Sequence, residues 1–391
     1  MATPSVDVKP EMICWAIDRS GLPTEQLRKK FPKLDDWQSG AKQPTFRQLE
    51  QFARSTMTPL GSLFLDSPPH EELPVPDFRT QRDRPLKRFS PNLIDTIRMM
   101  QQRQEWMREW LLEEGADELD FVGSLSFGRN IKSAAQRIRQ HLDLDPDWAE
   151  PLPTWETALR TLRTTVERSG ILVFSNSVVG INNRRPLDAN EFRGFVLCDR
   201  YAPVVFLNDA DTKSARIFTL AHEVVHVWLG QDGVFNLENL MPAQEDTERF
   251  CNRVAAEFLI PEYKLAQRWE DASKTNRPFH SLAARFKVSP VVAARRALDL
   301  RLITKPEFFR FYEHDRDEWR RLKARQKRKG GGNFYATQRV RLGRRFSAAV
   351  VRAAREGRIL YQDAFRLTGM KGKTFHTFAG EVRQKVRNEG E

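Results

Sequence analysis

The chain has 391 residues, 40% of them hydrophobic, with nine Trp and twenty-six Phe; that apolar content excludes a wholly disordered protein and predicts about two to four domains. Its net charge is +12, yet residues 301–391 alone hold 24 Lys and Arg against 10 Asp and Glu, so the first 300 residues carry about −2. No run approaches the ~18 apolar residues of a membrane span, the first residues lack a secretory signal, and Cys14, Cys198 and Cys251 form no CxxC pair. The expectation is a cytoplasmic protein with no membrane partner.

From Glu11 to Leu65 the pattern predicts four or five short helices. Met12, Trp15 and Ala16 share one helix face before Gly21-Leu22-Pro23, Thr24 precedes a run through Leu27 and Phe31, and a third helix starts near Asp35. Thr45 is a candidate N-cap for a helix with Leu49, Phe52 and Ala53 on one side. Such helices suit a helix-turn-helix domain over 1–66, or equally a plain helical interaction module. Lys29, Lys30, Lys33 and Lys42 fit phosphate contacts or a solvated surface, so no DNA-binding residue is singled out. Residues 67–89 are rich in Pro and read as an extended linker.

Residues 90–300 predict an α+β domain, mostly helical with a small sheet. Helices are expected from Pro91 to about Glu114, from Ile131 to Leu142 and from Thr154 to Ser169. Strands are expected at Ile171–Phe174, Phe195–Cys198 and Pro203–Leu207. After Pro261 the chain turns helical again, with a second helix-turn-helix-like element at Phe279–Ala284 followed by Ser289-Pro290. Asp315 to Gly332 reads as a charged, flexible stretch, and helix-length patterns return from Tyr335 to Val386. The basic helical region 301–391 fits nucleic acid or a solvated face.

His222-Glu223-Val224-Val225-His226 is the stretch that carries chemistry. Residues four apart lie above one another on a helix, so His222 and His226 can close on one metal ion, and Glu223 can then take a proton from water beside it. The bland reading puts one His in the core and the other in solvent, with no metal. Hydrolysis at zinc needs three protein ligands and a water. The downstream helix ending at Pro261 offers Glu248, with Asn252 one turn on to hydrogen-bond a ligating side chain; Glu257 competes, although Arg253 offers it an ordinary surface pair. Glu245 and Asp246 suit a cap, and Cys251 suits a small buried residue. Tyr201, Tyr263 and His280 are open candidates for stabilising an oxyanion.

Thr219-Leu-Ala-His-Glu-Val-Val-His226, followed by Glu248-x-x-Cys-Asn252-x-x-Ala-Ala-Glu-Phe-Leu-Ile-Pro261, resembles the ImmA/IrrE family of metallo-endopeptidases. The segments 187–195 and 203–208 and the linker residues Pro76 to Arg79 are similar to that family as well. The N-terminal helices, with Pro44-Thr-Phe-Arg-Gln-Leu49 and Pro59-Leu-Gly-Ser-Leu-Phe64, are similar to the repressor-type helix-turn-helix that often precedes the peptidase. The resemblance covers about residues 10 to 300, and Val225, Cys251 and Val254 stand where the family has Gly, Ala and Phe. It implies a zincin-like, gluzincin-like fold with Zn²⁺ held by His222, His226 and Glu248, and with Glu223 catalytic. It further implies a prokaryotic regulatory protease whose protein substrate is a repressor, an antitoxin or a co-encoded toxin partner, with DNA as a further partner. The alternative is a DNA-binding regulator or antitoxin component whose zinc domain serves partner recognition.

Overall fold

The computed structural model describes residues 4–69, 89–128, 130–235, 246–325 and 333–389. Most of the proline-rich linker, Glu245 and the glycine run at 330–332 lie outside the described residues. The described chain divides into two compact units, one reaching to Arg98 and the other running from Met99 onward.

In the first unit, α1 (Pro10–Ser20), α2 (Thr24–Lys30), α3 (Leu34–Gln38) and α4 (Phe46–Thr56) precede a 3-10 turn at Leu60–Phe64. Gly21 ends α1 at φ +62°, where a side chain would be strained. Thr45 caps α4 as the sequence predicts, in a reciprocal box with Gln48. The heptad-like apolar faces converge on Phe31, Trp37 and Phe52, whose ring centroids lie 5.6 to 6.0 Å apart. Full burial of each such side chain contributes about 1.5–3 kcal/mol. Arg28 pairs with Glu25 and Asp35, and Lys42 pairs with Asp36.

Helix α5 (Pro91–Glu113) passes from the first unit to the second, which continues with α6 (Ile131–His141) and α7 (Trp155–Arg168). Then come β1 (Leu172–Asn176), a hairpin of β2 (Val178–Val179) and β3 (Asn182–Pro186), β4 (Gly194–Leu197) and β5 (Val204–Asn208). The long α8 (Lys213–Leu229) follows, then β6 (Gly233–Phe235) and α9 (Asp246–Leu259). The chain ends with α10 (Glu262–Ser273), α11 (Pro278–Phe286), α12 (Pro290–Asp299), α13 (Lys305–Arg325), α14 (Phe334–Leu342), α15 (Arg344–Arg355), α16 (Tyr361–Thr368) and α17 (Gly372–Glu389). The main sheet has the order β1-β5-β4-β6, with β1 parallel to β5 and the other pairs antiparallel. The fold is α+β and mostly helical. Sheet residues such as Val173, Val196 and Val205 share one core with Leu220, Val224, Val254 and Phe258 from α8 and α9.

Two features depart from the sequence expectation. Residues 315–325, read as part of a flexible stretch, continue helix α13, and α11 with its cap residue supplies partners for two of the charges: Arg277 pairs with Glu318 at 2.5 Å, and His280 lies 3.4 Å from Asp315. The hairpin β2–β3 and the short β6 were not foreseen; β3 is Asn-Asn-Arg-Arg-Pro, which has no alternation of apolar residues.

The basic C-terminal helices belong to the second unit. Helix α14 packs along the outer strand β1, and the Phe346 ring of α15 meets Phe174 at 5.2 Å and Trp106 at 5.7 Å. Only glycine fits at 343, where φ is +74° and a Cβ would come within 2.8 Å of the Val173 carbonyl. Several of the arginines there are engaged internally: Arg358 lies 4.0 Å above the Trp110 ring and pairs with Glu113 and Glu114, and Arg352 pairs with Glu114.

Candidate metal centre

Helix α8 begins at Thr212, whose hydroxyl accepts the Ala215 N–H at 3.2 Å, and ends at Gly230 in the left-handed region. Every residue from Ile217 to Trp228 is buried. A helix that is apolar nearly all round must be enclosed; α7, α9, β4 and β5 pack against this one. Its first turn is tied to the end of β5 by an ion pair between Arg216 and Asp209, and the Ser175 hydroxyl of β1 donates to the same carboxylate. Neither tie carries a motif in the sequence, since Arg and Asp are common surface residues.

This enclosure places His222, Glu223 and His226, at most 1% exposed, inside the protein. Helix α9 crosses α8 and brings in Glu248, 2% exposed. Glu248 Oε2 lies 3.2 Å from His222 Nε2, Glu248 Oε1 lies 3.0 Å from His226 Nε2, and the two ring nitrogens lie 3.0 Å apart. Three ligating side chains thus converge. In tetrahedral zinc coordination with bonds of about 2.1 Å, ligand atoms sit about 3.4 Å apart. The distances from each histidine nitrogen to its nearer Glu248 oxygen and between the two nitrogens are within a few tenths of an ångström of that spacing, and the donors are the nitrogen and oxygen types zinc takes. The residues fit the ion.

Both oxygens of Glu223 and Oδ1 of Asn252 are buried with no hydrogen-bond partner among the described residues. A buried carboxyl in that condition is costly unless a compensating charge stands nearby. Asn252, one turn beyond Glu248, raises the His222 ring's proton affinity from alongside it.

The electrostatics agree with a metal-ready set. Burial lowers the His222 pKa, and although Glu248 opposes that effect, the net direction is down. Burial by itself would raise the Glu248 carboxyl, but the charges and hydrogen bonds of His222 and His226 outweigh it and bring it to about 2. Glu223 moves the other way: burial first, then the Glu248 charge, push it well above the carboxylate range. A dication beside it would oppose both causes.

The other sequence candidates fall elsewhere. Glu257 is buried in an ion pair with Arg296 of α12, not with Arg253, and also accepts the Glu262 N–H. Cys251 is fully buried in the core, as are Val225 and Val254. Tyr201 stacks with Arg108, Tyr263 is about half exposed next to Lys264, and His280 faces Asp315. His280, Asp315 and Glu318 form a second close group, but Arg277 already neutralises Glu318.

Residues 166–298 match the family described as the IrrE N-terminal-like domain. The matched segment contains α8, α9 and all of the converging side chains, and it leaves the N-terminal helices outside. A 93-residue stretch is 36% identical to the radiation response metalloprotease IrrE of Deinococcus radiodurans. That match takes in 22% of this chain and spans 28% of the relative's length. Residues 342–381 match a second family, described as Domain of unknown function (DUF8813). Among the described residues, no helix is long and apolar enough to cross a membrane.

Proposed function

We propose that the chain is a zinc-dependent, gluzincin-like endopeptidase with His222, His226 and Glu248 as metal ligands and Glu223 as the catalytic acid–base group. The observation that carries this reading is the convergence of three side chains from two helices, with the two histidine Nε2 atoms 3.0 Å apart and each within 3.2 Å of a Glu248 carboxylate oxygen, in a segment that matches a peptidase family. Bound zinc supplies a Lewis acid that polarises a peptide carbonyl and makes water a nucleophile near neutral pH. Glu223 accepts the proton of the attacking water and delivers it to the leaving amine. The two imidazoles and Glu248 would hold the ion as two neutral nitrogens and one anion, which would leave a net positive centre. Asn252 orients His222.

The substrate class we propose is a cytoplasmic regulatory protein: a repressor, an antitoxin or a co-encoded toxin partner. The name of the Deinococcus radiodurans relative, a radiation response metalloprotease, supports a regulatory setting. The three free cysteines suit a reducing compartment. The domain reading remains helix-turn-helix at 1–66, linker at 67–89, peptidase at 90–300 and basic helical region at 301–391.

A second reading, a DNA-binding regulator whose zinc domain recognises a partner, draws on the short helices α2 and α3 and the exposed Lys29 and Lys33. The pairing of Arg28 and Lys42 with acidic neighbours weakens it. Incubating the zinc-loaded chain with the regulator encoded beside it, with and without a chelator, tests the first reading. Chelator-sensitive fragments support it. Intact regulator together with a salt-dependent shift of promoter DNA supports the second.

A further inference from the structure

We propose that Gly194, the first residue of β4, is a positioning residue for Glu223: its missing side chain leaves the space that the Glu223 carboxyl occupies. The inference rests on the peptidase reading of Glu223. Gly194 pairs with Leu207 of β5 on one side and Phe235 of β6 on the other. Its φ is not in the left-handed region, so backbone freedom is not the reason for a glycine here. Space is the reason. A Cβ at this position would lie 2.7 Å from the Thr219 methyl carbon, 2.9 Å from the Phe206 carbonyl oxygen and 3.0 Å from Glu223 Oε1.

Thr219 and Glu223 are four residues apart on α8, so both present to the same strand. Gly194 therefore sets how closely the motif helix approaches the sheet, and with it the depth of the carboxyl. Glu223 has no hydrogen bond among the described residues to hold it. Its orientation is fixed by packing, and the glycine backbone is one wall of that packing. A methyl group at this wall displaces the carboxyl from the face shared with the three ligand atoms while leaving those atoms in place.

The test uses the full chain in a Thr219→Ser background, which removes the closest methyl and keeps the hydroxyl that donates to the Ala215 carbonyl. Thermal unfolding is compared for this parent, Gly194→Ala, Glu223→Ala and the combination. The expected result is coupling: Gly194→Ala lowers the midpoint by several degrees with Glu223 present, and by less than half as much with Ala at 223. Equal losses in both backgrounds overturn the proposal, since a glycine that serves only the sheet does not sense residue 223. If Gly194→Ala folds only together with Glu223→Ala, the coupling is shown in its strongest form; if neither folds, the proposal fails.

Cobalt(II) loaded in place of zinc gives a second readout. Gly194→Ala should retain about one ion per chain and shift the cobalt visible absorption in the direction produced by Glu223→Gln. A Gly194→Ala spectrum identical to the parent, when Glu223→Gln shifts it, counts against the proposal. If Glu223→Gln itself leaves the spectrum unmoved, the base assignment is what fails, and the unfolding cycle still decides on Gly194.

Discussion

Glu248 Oε1 lies 3.0 Å from His226 Nε2, and the other oxygen of the same carboxylate lies 3.2 Å from His222 Nε2. One side chain of α9 thus meets both histidines of α8, and the helix crossing that buries the hydrophobic core is also what completes the donor set. The site depends on tertiary packing as much as on the pentad.

Glu248→Ala is therefore expected to reduce zinc affinity by several orders of magnitude, leaving two ligands where structural and catalytic zinc sites use at least three. Asn252→Ala should have the smaller effect of a residue behind a ligand, about 10- to 100-fold. Zinc content after dialysis against a buffered chelator measures both. Equal retention by Glu248→Ala and the parent chain would remove Glu248 from the ligand set.

Metal retention should also depend on pH with a definite sign. Zinc binds unprotonated ligands, so acid competes with it. Burial holds the His222 pKa below its ordinary value of 6.5, and Glu248 is brought from 4.5 to about 2. Groups with depressed folded-state pKa values support stability above their unfolded values and lose it as pH falls. The His222 contribution declines below pH 6.5, and the Glu248 contribution declines between 4.5 and about 2. Zinc content and unfolding temperature should be flat from pH 8 to 7 and fall together on further acidification. A rise in either below pH 6 contradicts this assignment.

The buried pair of Arg296 and Glu257 anchors the end of α9 that is remote from Glu248. Arg296→Ala leaves a buried carboxylate without its partner and should cost about 3–5 kcal/mol. Replacing both, as Arg296→Met with Glu257→Gln, should recover most of that loss, because the amide still accepts the Glu262 N–H. Urea unfolding of the two variants checks the order; zinc stoichiometry should be unchanged in both.

The parts of this architecture that were legible in the sequence are those with a period or a cap. Thr45 and Ser289 cap the helices expected of them, and the helix expected from near Thr154 begins there. The three apolar strand runs fall on β1, β4 and β5. His222, His226 and Glu248 come together because helical spacing fixes the two histidines on α8 and Glu248 with Asn252 on α9, leaving a single helix crossing to be supplied by the fold. What stayed hidden depends on neighbours distant in sequence. Glu257 looked like a surface partner of Arg253 until α12 brought Arg296 to it, and the charges of Asp315 and Glu318 suggested a flexible stretch until α11 met them. Gly194 has no periodicity to read at all; its role is set by the distance of α8 from β4.

The most direct measurement of the central claim is the rate at which zinc-loaded Glu223→Gln cleaves a protein that the parent chain cleaves. The amide keeps the size of the carboxyl and cannot accept the proton, so the rate should fall by about 100-fold or more while zinc content stays at that of the parent. Cleavage at the parent rate, with zinc still bound, would contradict the account.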